Sequence, residues 1–324
     1  MQSSINSADT AWVLVSTALV LLMTPALGLF YAGMARAKNV LNILMQSFVA
    51  LSVVSVLWAV VGYSLAFAKG NSFVGGLDYL FLKGVGQDAL TLNGAALTVP
   101  HLLFMAFQMM FAIITPALIS GAIVERMKFS AYFVFIALWS LLVYSPVAHM
   151  VWGEGGLFVG KALDFAGGTV VHMSAGWAAL AGAIFLGKRK VQKSNPARIT
   201  YVLLGTGLLW FGWFGFNAGS AVGASGLAAQ ALGTTTVAAA SAAMGWVFLD
   251  KILGHKPSAM GACIGAVVGL VAITPAAGFV TIPSALAIGL IASIVSNLVV
   301  SKFPKGKVDD ALDVFACHGV GGMV

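Results

Sequence analysis

The chain has 324 residues, 60% of them hydrophobic and only 8% charged, with a formal net charge of +7 and a mean hydropathy of +0.98. A soluble domain carries about a quarter charged residues, so this composition excludes a water-coated globule and points to an integral membrane protein. The two cysteines, Cys263 and Cys317, fall in apolar runs and exclude a disulfide framework or zinc-finger spacing.

Taken in order, the chain opens on a largely polar stretch, Met1 to Thr10, without Lys or Arg. They lack the basic segment of a secretory signal peptide, so the first apolar run is expected to remain as a span. Crossing a bilayer core takes roughly 20 helical residues. Candidate spans occupy residues 11–32, 41–67, 102–124, 129–151, 165–186, 199–217, 227–249, 259–274, 282–300 and 311–324. Helix is the expected state, because isolated strands leave backbone groups unpaired in lipid. The runs are also too long and uniform for the ~10-residue alternating segments of a barrel. The tenth run is too short to cross and reads as cut inside a helix. The 38 glycines are expected to serve close helix packing, since no phosphate-loop pattern contains them.

The connections set an orientation. With the N-terminus outside, the inside loops hold Arg36, Lys38, Arg126, Lys128, Lys188, Arg189, Lys190, Lys193, Arg198, Lys251, Lys256, Lys302, Lys305 and Lys307. The outside loops hold only Lys69, Lys83 and Lys161. The positive-inside rule then predicts an outside N-terminus. The basic run 188–193 reads as a cytoplasmic topology anchor, and no nucleic-acid partner is expected.

Two ionisable pairs stand inside this apolar frame. Asp164 precedes His172 by eight residues, Asp310 precedes His318 by the same spacing, and each histidine has a glycine four residues on, Gly176 and Gly322. Eight helical residues cover roughly 12 Å, so both histidines approach the bilayer midplane, from opposite faces. This predicts an all-α, polytopic protein with inverted five-helix repeats, about 11–186 and 199–324, within a single membrane domain, 1–324. Transporters built this way place their site at the repeat interface.

An ionisable residue within a span is a functional candidate by default. The bland alternative for a histidine is a core ring satisfied by a carbonyl. A paired histidine could relay a proton, or donate to and accept from a small polar solute. A metal site at His172, His318 and Cys317 would need a further converging ligand, and none is well placed, so no metal or cofactor is expected. Asp164 reads as a helix N-cap and also as a carboxylate that steadies a nearby cation. Asp310 and Asp313 read as caps of the tenth helix on the cytoplasmic side. Phe107 and Phe111 share one helix face. Phe107, Phe111, Trp152, Trp213 and Phe216 are each ordinary as packing or belt residues. Together with the Ser220 hydroxyl, a ring of Trp and Phe could bind a small cation through its aromatic faces.

At these residues the chain resembles the ammonium transporter/methylammonium permease/Rhesus family. The likeness is carried by Phe107-Gln-Met-Met-Phe111, Ala148-His-Met-Val-Trp152-Gly, Asp164-Phe-Ala-Gly-Gly-Thr-Val-Val-His172, Gly212-Trp-Phe-Gly-Phe-Asn-Ala-Gly-Ser220 and Asp313-Val-Phe-Ala-Cys-His318-Gly-Val-Gly-Gly. It is closer to bacterial-type ammonium transporters than to Rhesus glycoproteins, because Phe107, Trp152 and Ser220 are all present. The resemblance implies an eleven-helix fold, of which this chain covers about the first nine and a half. It implies an NH4+ recruitment site at Trp152, Phe107 and Ser220, supported by Asp164. It implies a gate at Phe111 and Phe216, and a narrow pore lined by His172, His318 and Trp213, with Thr274 also pore-side. The expected function is transport of ammonium, ammonia and methylammonium across the cell (inner) membrane, not catalysis. The expected partners are the lipid bilayer, two further copies in a homotrimer and a P-II signalling protein on the cytoplasmic face. An ammonium sensor with a signalling module after Val324 is the first alternative. A Rhesus-type neutral gas channel is the second, disfavoured by Trp152 and Ser220.

Overall fold

The computed structural model describes residues 5–191, 195–302 and 308–324. Lys193, Lys305 and Lys307, counted among the inside charges above, lie outside these residues. The helices are α1 (Ser7–Met34), α2 (Ala37–Phe67), α3 (His101–Ile123), α4 (Phe129–Trp152), α5 (Gly168–Leu186), α6 (Ile199–Ala221), α7 (Gly226–Ile252), α8 (Ala259–Ile273) and α9 (Ile282–Lys302). A π-helical stretch, α10 (Phe315–Val320), follows. Among the described residues, eight helices are long and apolar enough to cross a membrane. The 15-residue α8 is about 22 Å long, short of a ~30 Å core. It is tolerated because it packs on α6, α7, α9 and α10, and irregular backbone at membrane depth is viable when protein surrounds it.

The two halves repeat one packing plan. In the first half, α1 touches α2 and α3, α2 touches α3 and α4, and α3 touches α5. In the second, α6 touches α7 and α8, α7 touches α8 and α9, and α8 touches α10. The odd number of helices in the first half, α1 to α5, starts the second half on the opposite side, so its helices run opposite to their counterparts. The halves meet along α1 with α6 and along α5 with α10.

Hydrogen bonds between connections assign each loop to a side. On one face Asn6 N–H donates to Thr98 O, Thr98 Oγ1 donates to Asp9 and Ala224 N–H donates to Asp9. On the other, Ala197 N–H donates to Ala35 O, and Ala311 N–H to Ala122 O. That second face also carries the ion pairs. Arg36 meets Glu125, which accepts from Asn39 at 2.6 Å. Arg189 holds Asp309 at 2.8 Å. Burial alone would raise the Asp309 carboxyl, but the bonds from Arg189 hold it below its ordinary value.

Two local features depart from the sequence reading. The outer loop between α2 and α3 contains an antiparallel hairpin, β1 (Ala89–Leu92) and β2 (Ala95–Pro100). Its two-residue turn, Asn93-Gly94, has φ of 50° and 79°, the left-handed pair that a tight hairpin turn requires. The fifth segment begins its helix at Gly168 rather than at residue 165, because Gly167 sits at φ 112° and turns the chain into the helix.

The small residues at the repeat interface decide how close α5 and α10 come. A Cβ on Gly176 would overlap the Gly319 backbone, and one on Gly322 would lie 3.2 Å from the His172 Cβ. Residues 168 and 172 thus lie against Gly322, and residue 176 against His318 and Gly319, so the two segments cross antiparallel. Gly176→Val is therefore expected to lower stability by about 1–3 kcal/mol, the usual overpacking penalty, read as an earlier thermal transition in detergent. An unchanged transition would mean the crossing has slack.

Candidate functional site

On the side of the α1 N-terminus, a cavity of about 250 Å³ opens between α3, α4 and the loop leading into α5. Trp152, Asp164, Phe165 and Ser220 line it, together with Phe104, Gln108 and Phe111 of α3. Trp152 is held through both its indole and its backbone. Trp152 Nε1–H donates to Asp164 O at 3.0 Å, and Trp152 O accepts from Asn93 of the hairpin turn at 3.1 Å. The Ser220 hydroxyl donates to Phe216 O at 2.7 Å. Its one hydrogen is thereby used, and its lone pairs remain for a donor in the cavity. An aromatic face and a hydroxyl oxygen together suit a small cation that carries N–H donors.

The Asp164 carboxylate is held entirely by backbone. Oδ1 accepts from Gly167 and Gly168 at 2.7 Å each. Oδ2 accepts from Thr169 at 2.9 Å and Val170 at 3.1 Å. These are the orphan donors of the α5 N-terminus, so the capping role expected from the sequence is present. With its lone pairs engaged, Asp164 reaches the cavity through its field and through its carbonyl.

Below the cavity the path narrows. The Phe111 and Phe216 rings close at 4.4 Å between centroids, and both are fully buried. Phe107 is not among the cavity-lining residues. It is buried, packed edge-on against Phe111 with ring centroids 5.0 Å apart, and it lies against Gly219, the residue before Ser220. Phe104 and Gln108, which the sequence reading passed over, line the cavity. They share a helix face with Phe111 by their spacing, so the signal was available.

Beneath Phe216 the His172 ring stacks at 5.8 Å, and Trp213 stacks on the same imidazole at 5.4 Å. His172 Nδ1 lies 3.2 Å from His318 Nδ1. One of these nitrogens must donate and the other accept, so the pair shares one proton along that line. His172 Nε2 is buried with no partner among the described residues. A void of about 10 Å³ touches both histidines, Trp213 and Phe216. A second of similar size lies against Phe30, Tyr31, Cys317 and His318. Each has room for roughly one water-sized centre.

Thr274 sits against Trp213 at this level. Its hydroxyl accepts from Trp213 Nε1–H at 2.9 Å and donates to Leu270 O at 2.7 Å, which makes it the support of Trp213. His149 supplies the contrast to the histidine pair. Both its ring nitrogens face carbonyls, Ala66 O at 3.1 Å and Asn71 O at 2.8 Å. That is the core-histidine arrangement, whereas His172 and His318 face each other in an apolar void. Among the described residues no cluster of His, Cys, Asp and Glu could hold a metal ion.

Known proteins share this architecture. The sequence profile of the Ammonium Transporter Family matches residues 11–324. The chain is 51% identical over 316 residues to the ammonium transporter of Bacillus subtilis (strain 168), covering 97% of this chain and 78% of that protein. It superposes on the crystal structure of Candida albicans Mep2 with a TM-score of 0.91 and 39% identity, over 99% of this chain and 72% of that one. It also superposes on a solved protein described as a sensor Amt protein, with a TM-score of 0.88 and 30% identity, over 97% and 80% of the two chains.

Proposed function

The chain belongs to the Ammonium Transporter Family, and on that footing we propose that it carries ammonium across the cell (inner) membrane with its N-terminus outside. NH4+ is recruited in the outer cavity by Trp152, Phe107, Ser220 and the field of Asp164, and is deprotonated there. Ammonia then passes the Phe111–Phe216 gate and the His172–His318 pair. Methylammonium, with one apolar methyl, fits the same chemistry. The observation that carries this reading is the histidine pair at 3.2 Å inside an apolar void beneath the close-packed Phe111 and Phe216 rings.

The physics favours shedding the proton. Taking a bare cation into an apolar constriction is costly, and deprotonation removes most of that cost. The same step gives selectivity, since K+ resembles NH4+ in charge and size but has no proton to lose. The family resemblance further suggests a homotrimer with one pore per subunit and a P-II partner on the cytoplasmic face. A second reading, an ammonium sensor, is favoured by the likeness to the sensor Amt protein.

Purified protein in proteoliposomes separates the two. Transport predicts a saturable inward current under an NH4+ gradient and none under an equal K+ gradient. Ammonium binding without current or uptake would move the assignment to a sensor.

A further inference from the structure

One wall of the outer cavity is α3, with Phe104, Gln108 and Phe111, and the facing wall is the end of α4, with Trp152. Leu92 and Asn93, at the tip of the outer hairpin, line the same cavity. Both arms of the hairpin are fastened to α3 at the base. β2 runs without a break into α3, with Pro100 standing immediately before His101. On the other arm, Asp88 O accepts from His101 N–H at 2.8 Å and Gly86 O accepts from Leu102 N–H at 2.9 Å. Those N–H groups belong to the orphan donors of the α3 N-terminus. Thr98 ties β2 to Asn6 and Asp9 as well.

At its tip the hairpin reaches across to α4. Trp152 is the last residue of that helix, and Gly153 leaves it at φ −72°, ψ 159°. The Trp152 carbonyl is thus an orphan acceptor of a helix end, and the Asn93 side-chain amide satisfies it at 3.1 Å. Asn93 is exposed, where a substitution changes stability little. The consequence of its bond is therefore geometric. It fixes where the end of α4 stands relative to α3, while the indole itself is tethered to Asp164 O. The residue type meets two demands at once. Position 93 sits at φ 50°, which Asn, Asp and Gly tolerate in a tight hairpin. Of these three, only Asn carries a side-chain N–H donor.

We propose that Asn93 is a positioning residue of the recruitment site: through the Trp152 carbonyl it sets the separation between the indole and the α3 wall, and with it the size of cation that the cavity prefers. The inference rests on the reading of this cavity as the recruitment site. A cation is attracted to an aromatic face only within about 6 Å of the ring centre, so a small cation needs its walls held close. With the bridge intact, NH4+ meets the indole and the α3 wall together. Without it, the end of α4 relaxes away from α3 and NH4+ loses one of the two. Methylammonium, longer by a methyl group, still spans the wider gap.

Two variants in proteoliposomes test the proposal. Asn93→Gly removes the donor and leaves Gly-Gly, a pair that two-residue hairpin turns accept. Asn93→Asp keeps the size and the left-handed tolerance but offers only acceptors. Its charge attracts both cations alike, so the preference between them still reads the spacing. In Asn93→Gly the half-saturating NH4+ concentration should rise about three- to tenfold, the worth of one hydrogen bond. It should rise by more than the maximal current falls, the pattern of lost binding and not of lost chemistry. Methylammonium should lose less, so in both variants the preference for NH4+, read by competition against the ammonium current, should narrow. The thermal transition in detergent should stay near that of the parent. An unchanged half-saturation in Asn93→Gly, or an unchanged preference in either folded variant, overturns the proposal. Loss of the folded protein in both variants overturns it as well and makes Asn93 a residue of the fold. Absence of any ammonium current in the unmodified protein sinks the transport reading and this inference together, whereas a normal current with an unchanged preference in the variants sinks this inference alone.

Discussion

His172→Ala is expected to reduce the ammonium-driven current by about a hundredfold or more, the lower end of what a positioned acid–base group contributes. The imidazole is one half of the 3.2 Å contact with His318, and a proton cannot step across when one ring is gone. Ammonium would then have to cross as a cation. Even the mildest membrane scale charges about 3 kcal/mol for a charge at the bilayer centre, roughly a hundredfold in rate. Trp213 and Phe216 also lose the ring against which both stack. The measurement is current and labelled uptake, side by side, in proteoliposomes of matched protein content. A current close to that of the parent would show that the proton takes another route.

Asp164→Ala is expected to remove most of the folded protein. Four N–H donors lose their acceptor at once. Each buried donor left unsatisfied costs about 1–3 kcal/mol, so the sum is about 4–12 kcal/mol. Total stabilities are about 5–15 kcal/mol, so little margin is left. Asp164→Asn keeps one carbonyl oxygen and half of the bonds, and should fall between the two. Because the amide is neutral, that variant also separates capping from charge. It is expected to fold while binding NH4+ more weakly in the outer cavity. Thermal unfolding and gel filtration in detergent read the first effect, and the concentration dependence of the current reads the second. An alanine variant that melts with the parent would remove the capping argument and leave Asp164 a purely electrostatic role.

Much of the architecture was readable before any coordinates. Long apolar runs cannot be soluble, so the membrane class and the positions of the long helices are legible from hydropathy alone. The equal spacing of Asp164 and Asp310 from their histidines exposed the inverted repeat. The outer hairpin was missed because the apolar test for spans ignores short polar-flanked strands, although Asn93-Gly94 is a hairpin signal. Within the site, motif likeness puts Phe107 in the recruitment set, whereas Phe104 and Gln108 emerge from the packing of α3 at the cavity. Motif likeness puts Thr274 on the pore side. Its hydroxyl proves to be committed to Trp213 and Leu270.

What the sequence by itself determined is the class of molecule and the residue types at its centre. Hydrophobicity and periodicity are local quantities, and a histidine buried in an apolar run is conspicuous wherever the chain later goes. What only the tertiary structure decided is which groups are already satisfied. His149 and His172 look alike in sequence, yet one meets two carbonyls and the other meets His318, 146 residues away. Asp164 and Asp310 match in spacing, yet one has no lone pair to spare and the other keeps an oxygen without a donor. Arg189 and Asp309, 120 residues apart, pair across the two halves with nothing in the chain to announce it. Hydrogen bonds are directional and short, so their partners are set by how helices cross. Here that crossing depends on contacts as small as Gly176 against Gly319.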